Sequence, residues 1–587
     1  MNGIIFLLSF FIYSQNMETI NVNSSTTSVL NSSAPIINIL YPWEGKDIGG
    51  VNKEFIFGNV VPYVPTITVN GNIVNVYKNG SFLAYIPVEI GEFKFVVCAE
   101  NDYGINCTTR TVVNGRKTDT GSLFEIFGST SIYIMKGDNF SINLKAIPSS
   151  TIYYKIDDIC DGYMDGGISG YYYTSCTIPY TIKNKSFDLL FKYKGGKYNG
   201  EKIVFKNFLN IIDKKYLLET STDNVVIKNE TGGYILFLPE GVKLLSDRKE
   251  GNRYRVDLGE IKLWVDDDKV IFKGYMNKKF RNETGTLKLI KKDDSKTLAR
   301  LYVSDKVPYR VYEEDGKIYL KLFYTNLRTN WVVYDSSDTH IDNVVFRQEE
   351  TDSVLFVFKF KDHQNLWGYD ITYSTDNYMN IYFKFKPNIQ LNSLQPLKGL
   401  KIVLDPGHSY KINPPYDGAV GPSGSYEWDV NLKIALKLKE KLLNLGADVF
   451  MTRYTNDEKE QVSLLERPKI AKRFDGDIFI SIHNNAIPDG EDPFSKPRGF
   501  QIYYYHPHSK KLADYVHKEY MKNISLFDEG VRFGDYHVLR ITSMPAILIE
   551  NAYMIIPEQE ELLLDENFRD LLANSIAQGL VGFIYDR

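Results

Sequence analysis

Six of the eight histidines lie after residue 398, and two of them close apolar runs. His408 follows Leu404-Asp405-Pro406-Gly407, and His483 follows Phe479-Ile480-Ser481-Ile482. Two glutamates occupy comparable places. Glu427 opens a helix-like stretch behind the Gly-rich loop 418–424, and Glu550 follows Ala546-Ile547-Leu548-Ile549. Zinc binds nitrogen and oxygen donors of this kind, and a catalytic zinc keeps three protein ligands and leaves the fourth position to water. Two histidines and one glutamate make such a triple. The carboxylate left over can then take a proton from the water that the metal activates. Residue types alone do not say which glutamate plays which part. Either histidine taken alone reads as a satisfied structural residue, so the combination carries the reading.

These four residues need a frame that brings strand ends together. From 398 onward strand-like and helix-like runs alternate, which signals α/β architecture. In such a sheet the strand ends of one polarity form the ligand crevice. Leu400–Leu404, Ala447–Met451, Asp477–Ile482, Gly499–Tyr505 and Ala546–Ile549 read as strands. Val430, Ile434, Leu438 and Leu442 recur at helical spacing over Glu427–Leu445, with Gly446 at the C-cap position. Ser463-Leu464-Leu465-Glu466 predicts a capping box. Further helices are predicted near Ser509–Lys522 and from about Asn567 to Ile584.

The chain before 398 has a different character. Strand-like alternation with Gly-, Asn- and Tyr-rich turns runs through most of it. The chain has 587 residues, 43% of them apolar and 24% charged, which allows several folded domains with sizeable cores. The predicted fold class is therefore several all-β modules followed by a C-terminal α/β domain. The predicted divisions are a leader over 1–15, a Ser/Thr/Asn-rich linker over 16–35, a β-sandwich over 36–114, a β-rich domain over 123–213, a small β module over 214–295, a further β-sandwich over 296–395 with an envelope-docking role, and the α/β domain over 398–587. The leader rests on the apolar run Ile4–Tyr13 followed by Ser14-Gln15-Asn16, although no Lys or Arg precedes it. No later run is long and apolar enough to predict a membrane span in the mature chain.

A net charge of −4 gives no electrostatic pull toward nucleic acid. The four cysteines form no CxxC pair, which argues against a cysteine zinc site. They fall into two local pairs, Cys98 with Cys107 and Cys160 with Cys176, read as disulfides of an oxidising compartment. Trp367 and Tyr369 are read as core packing in preference to a sugar platform.

LDPGH at 404–408, GAVGPSGSYE at 418–427, Thr452-Arg453, SIHNNA at 481–486 and ILIEN at 547–551 stand in one order and spacing. In these motifs the C-terminal domain resembles the zinc-dependent N-acetylmuramoyl-L-alanine amidases. The segment 36–114 resembles bacterial immunoglobulin-like modules, and 214–295 resembles SH3-like modules. The amidase resemblance implies Zn2+ held by His408, Glu427 and His483, with Glu550 as the catalytic base. It implies hydrolysis of the amide between the lactyl group of N-acetylmuramic acid and the L-alanine of the stem peptide, by water that zinc activates. Arg453, Arg467 and Asn485 match positions of the same family, Arg467 as a structural residue. His506, His508, His517 and His537 are read as surface or loop residues. Ser409 replaces the usual glycine, and the loop 409–417 is longer than usual. The stretch 506–545 is too short to hold the blocking helix that some relatives insert there.

The resemblance makes peptidoglycan the expected partner, with an envelope protein that activates or recruits the enzyme as a second candidate. The expected location is exported, in the periplasm or cell envelope. Two other readings stay open: a zinc peptidase or deacylase acting on cell-wall substrate, and a wall-binding protein whose hydrolase domain is inactive.

Overall fold

The computed structural model describes residues 33–586 apart from 116–123, 169, 277–279, 315, 351, 363–364, 388 and 390–393. The expected leader and nearly all of the linker lie outside the described residues.

Seven strands fill Ile36–Asn114, in one three-stranded and one four-stranded sheet. Their alternation turns Ile37, Ile39, Val60, Phe82, Phe95 and Val97 into a common core. Asn70 and Gly71 both have positive φ (47° and 79°), which closes the hairpin between Thr66–Val69 and Asn72–Asn75. Cys98 and Cys107 face each other across the last hairpin of this segment and are joined. Cys160 and Cys176 form the second disulfide.

Beyond residue 123 the β structure is more continuous than the expected divisions. Ile132–Met135 pairs in parallel with Leu209–Ile212 and antiparallel with Arg248–Glu250. The expected division at 213–214 thus falls inside one sheet. The expected division at 295 falls inside the hairpin formed by Asn282–Lys291 and Lys296–Val303. One apolar core extends from Tyr216 through Val265 to Phe385. Alternation marks which face of a strand is apolar. It does not mark which distant strand pairs with it, and the pairing that spans 213–214 is distant.

The C-terminal domain is a six-stranded mixed sheet with helices on both faces. Its elements are β1 (Lys401–Pro406), α1 (Glu427–Asn444), β2 (Asp448–Met451), α2 (Glu466–Arg473), β3 (Ile478–Asn485), β4 (Gly499–Tyr504), α3 (Pro507–Asn523), β5 (Phe527–Phe533), β6 (Ala546–Tyr553), α4 (Pro557–Leu564) and α5 (Glu566–Tyr585). The strand order is β2-β1-β3-β6-β4-β5. The strands β2, β1, β3 and β6 are parallel neighbours, and β4 runs antiparallel to β6. Alternate residues of each central strand face opposite helix layers. Ile402, Leu404, Ile480, Ile482, Ile547 and Ile549 pack with residues of α1, α3 and α5. Val403, Phe479, Ala546 and Leu548 pack on the other side with Ala471 and Leu539.

Two elements went unread in the sequence. The strand β5 is half-exposed, charged and interrupted by Gly530, and α4 carries little apolar periodicity. The expected capping box is also absent. Leu465 already has helical dihedrals (φ −71°, ψ −25°), and α2 starts at Glu466 with no side-chain cap.

The preceding sheet docks on this domain through Leu366–Tyr373. Trp367 is buried and stacks on Phe583 at 5.4 Å. Tyr369 is buried, and its N–H donates to the Thr542 carbonyl at 2.7 Å. Both are interface core.

Candidate active site

The three parallel strands β1, β3 and β6 deliver their ends to one edge. Strand register does most of the placing: His483 on β3 lies directly opposite Glu550 on β6. Gly407 continues the β1 ladder, its N–H donating to the Ile482 carbonyl at 2.9 Å, and so sets His408 beside His483. The two imidazoles meet edge to face with centroids 4.9 Å apart. Glu427, the first residue of α1, is buried between them.

Two glycines make this approach possible. A Cβ on Gly407 would sit 2.2 Å from His483 Cε1, and one on Gly418 would sit 2.7 Å from Glu427 Oε2. Gly418 also has φ +90°, which side chains disfavour.

Donor atoms of His408, Glu427 and His483 all lie within 4.8 Å of one another. Glu427 Oε2 is 3.2 Å from His408 Nε2, and Glu427 Oε1 is 3.1 Å from His483 Nδ1. The far side of His408 is held as well: Nδ1 lies 2.8 Å from Asp417 Oδ1, which leaves Nε2 to face the centre. Glu427 is fixed by the N–H groups of Ala419 (2.8 Å) and Asn484 (3.1 Å) and by Asn431 Nδ2 (3.2 Å). Asn551 Nδ2 donates to the His483 carbonyl at 2.7 Å. Oriented donors with hydrogen-bonded outer partners are what a metal site requires.

The electrostatics agree with that reading. Burial works to depress the His408 imidazolium, but the carboxylates of Glu427 and Asp417 outweigh it and push the pKa up to about 10. The centre therefore attracts positive charge. Burial works to raise the Glu427 carboxyl, yet His408 and His483 hold it well below the ordinary range. For His483 burial dominates and lowers the pKa, so this ring stays neutral and can ligate. The donor set fits zinc: two imidazoles and one carboxylate converging, with the cavity open on the remaining side.

Glu550 differs from Glu427. It is buried, and its Oε2 has no hydrogen-bond partner among the described residues. Burial, and then the charge of Glu427, raise its pKa well above the usual carboxylate range. An unpaired buried carboxyl oxygen costs stability, and such groups concentrate where chemistry is done.

Beneath the site two arginines brace the β1 turn. Arg467 Nη1 donates to Asp405 Oδ1 and to the Pro406 carbonyl, both at 2.7 Å, and Nη2 donates to the His408 carbonyl at 2.8 Å. Arg453 donates to the carbonyls of Pro406 (3.0 Å), Gly407 (3.1 Å) and Trp428 (2.6 Å). His408 itself has φ +60°, a left-handed conformation that needs such bracing.

The four residues line one cavity of about 370 Å³. Asn485 lines it too. His506, His508, His517 and His537 do not. His506 and His508 are not surface residues either. Their Nδ1 atoms lie 3.5 and 2.9 Å from the buried Glu313 carboxylate of the preceding β segment. Sequence reading missed Asp417 as the partner of His408. It also missed Tyr41, Trp43, Phe55 and Phe57, which line the same cavity from the first β segment. No local signal marks those four, because the contact crosses more than half the chain.

Comparison with known proteins places this arrangement. Residues 402–581 match the N-acetylmuramoyl-L-alanine amidase family. A Staphylococcus epidermidis protein named probable cell wall amidase LytH is 37% identical over 194 residues, 33% of this chain and 62% of that protein. Its Staphylococcus aureus namesake is 36% identical over 188 residues, 32% of this chain and 58% of that protein. The chain thus spans about six-tenths of the length of the curated relatives it matches. The solved N-acetylmuramoyl-L-alanine amidase AmiC2 of Nostoc punctiforme is 31% identical, covering 32% of this chain and 99% of its own, with a TM-score of 0.29. Residues 402–581 of this chain belong to the N-acetylmuramoyl-L-alanine amidase family.

Proposed function

We propose that this protein is a zinc-dependent peptidoglycan hydrolase that cuts the amide between the lactyl group of N-acetylmuramic acid and the L-alanine of the stem peptide. The observation that carries the reading is Glu550: a buried carboxyl with one unpartnered oxygen, in the same cavity as a converging His408–Glu427–His483 set. Those three residues would hold zinc, which when bound polarises the scissile carbonyl and acidifies water. The rest of the work falls to the chain. Glu550 would take at Oε2 the proton that the attacking water gives up and pass it to the leaving amine nitrogen, and the raised proton affinity of that carboxyl suits it to hold the proton between the two steps. Asp417 keeps His408 Nδ1 occupied so that Nε2 faces inward. Glu427 stays ionised as the anionic ligand.

We further propose that the protein acts outside the cytoplasm, in the periplasm or cell envelope. The names of the curated relatives support this, as do two disulfides, which persist in oxidising compartments. Among the described residues no helix is long and apolar enough to cross a membrane. An envelope protein that recruits or activates the enzyme remains part of the proposal.

The test is digestion of purified peptidoglycan by the full chain, with mass spectrometry of the products. Free stem peptides beginning with L-alanine, lost on chelation, restored by zinc and absent with Glu550→Gln, are the expected result. Cuts within the peptide would replace the amidase reading by a zinc peptidase. Wall binding without any cut would replace it by a binding protein.

A further inference from the structure

The active-site cavity is not built by the C-terminal domain alone. The segment 36–114 sits against it through a buried apolar seam of Phe55, Phe57, Leu83, Ile487, Tyr553 and Ile555. Polar contacts lock the seam. Lys46 Nζ pairs with Asp489 at 2.7 Å, the Gly490 N–H donates to Glu54 Oε2 at 3.0 Å, and Tyr85 Oη donates to the Gly490 carbonyl at 2.7 Å. The Tyr41 hydroxyl also bonds Asp489. Asn59 Nδ2 donates to the Pro422 carbonyl at 3.1 Å, within the Gly-rich loop that precedes Glu427.

This docking places Tyr41 and Trp43 on the cavity wall, half-buried, at the head of a run of rings that crosses from one domain to the other. Tyr41 lies 6.0 Å from Trp43, Trp43 lies 6.1 Å from Tyr416, and Tyr416 lies 6.0 Å from Tyr426. Tyr426 then stacks on Trp428 at 5.1 Å. Lys46 Nζ sits 4.7 Å from the Trp43 ring centroid and helps fix the indole. Tyr416 belongs to the loop that carries Asp417, so the run passes directly beside the His408 partner.

We propose that this aromatic wall is a subsite for the glycan strand of the substrate, with Trp43 of the N-terminal segment as its specificity-determining residue. The choice of sugar over peptide follows from charge. Among the described residues no lysine or arginine lines the cavity, whereas a stem peptide carries carboxylates that would need cations. Sugar rings present flat C–H faces that match partly exposed aromatic rings and ask for no counter-charge. That the glycan is peptidoglycan rests on the amidase reading above. The N-terminal segment then acts within the site, and the preference for long glycan over a short fragment is set by a residue some 365 positions before His408.

The test uses the full chain and its Trp43→Ala and Trp43→Phe variants, with two readouts. The first is titration with peptide-free glycan strands, which requires no turnover. The second is the ratio of kcat/KM on polymeric peptidoglycan to that on a short muramoyl-peptide. The expected result is about a tenfold weaker affinity for glycan and about a tenfold lower ratio in Trp43→Ala, both largely restored in Trp43→Phe. Glycan affinity within twofold of the parent in Trp43→Ala overturns the proposal, as does a parent chain that does not bind glycan. An unchanged ratio also overturns it, because Trp43 would then act through the fold. If the parent binds glycan through Trp43 but releases no peptide from either substrate, the subsite stands and the amidase reading fails.

Discussion

Replacing Arg467 by Met isolates the brace under the His408–Glu427–His483 set. The methionine keeps an apolar stem of similar length and removes the guanidinium. Asp405, fully buried, then loses its ion pair but keeps the hydroxyls of Thr452 (2.6 Å) and Ser481 (2.8 Å). Burial works to raise the Asp405 carboxyl, and Arg467 is the foremost of the groups that hold it below the ordinary range. Removing one partner of a buried pair costs about 3–5 kcal/mol. The two remaining hydroxyls, worth about 1 kcal/mol each, place the expected loss near the lower end, about 3 kcal/mol. The chain holds several separate apolar cores, so the measurement is made locally. Amide hydrogen exchange over β1 and β3 should speed up roughly a hundredfold, at about 1.4 kcal/mol per factor of ten. Exchange in the strand Lys53–Val61 should not change. The double variant Asp405→Asn/Arg467→Met should recover part of the loss, since it leaves no unpaired charge. An acceleration below about fivefold over β1 and β3 in Arg467→Met would mean that the Arg467–Asp405 pair does not hold these strands.

Three further outcomes are expected. Glu550→Gln should lower peptide release by roughly a hundred- to ten-thousandfold while zinc content, measured by elemental analysis, stays at the parental level; loss of zinc would make Glu550 a ligand instead. Asp417→Asn should weaken zinc binding about ten- to a hundredfold in competition with a chelator, because His408 loses the carboxylate that orients it. Burial, and then the charge of Asp489, push the Glu54 carboxyl up to about 8. The folded chain therefore keeps a proton that the unfolded chain releases near pH 4.5, and the docking of the N-terminal segment should weaken as pH rises from about 4.5 to 8. Hydrogen exchange over Lys53–Val61 should show that decline in the parent and a flatter profile in Glu54→Gln; parallel profiles would count against it.

What the sequence disclosed follows from range. His408, Glu427, His483 and Glu550 were legible because each sits at the end of an apolar strand or the start of a helix, where local pattern shows both element and terminus. The β-rich and α/β halves were legible for the same reason, from periodicity. Asp417 was not, because nothing in the loop 409–417 says that it folds back on His408. The capping role expected of Ser463 failed to the backbone geometry of Leu465. His506 and His508 looked like loop residues because their partner, Glu313, lies some 195 positions away. Tyr41 and Trp43 lay beyond reach for the same reason. The divisions expected at 213–214 and 295 assumed that a change of local texture marks a change of sheet, and strand pairing does not respect texture.

The in-register pairing of His483 with Glu550 has a consequence for how such a protein changes over time. Their separation is set by backbone hydrogen bonds between neighbouring parallel strands and by no loop. The segment 486–498 and the docked N-terminal rings can therefore vary in length and composition while the spacing of His483 and Glu550 stays constant. The rings that line the cavity from the first β segment and the register that fixes His483 against Glu550 sit on separate parts of the scaffold, so selection can alter the first without moving the second.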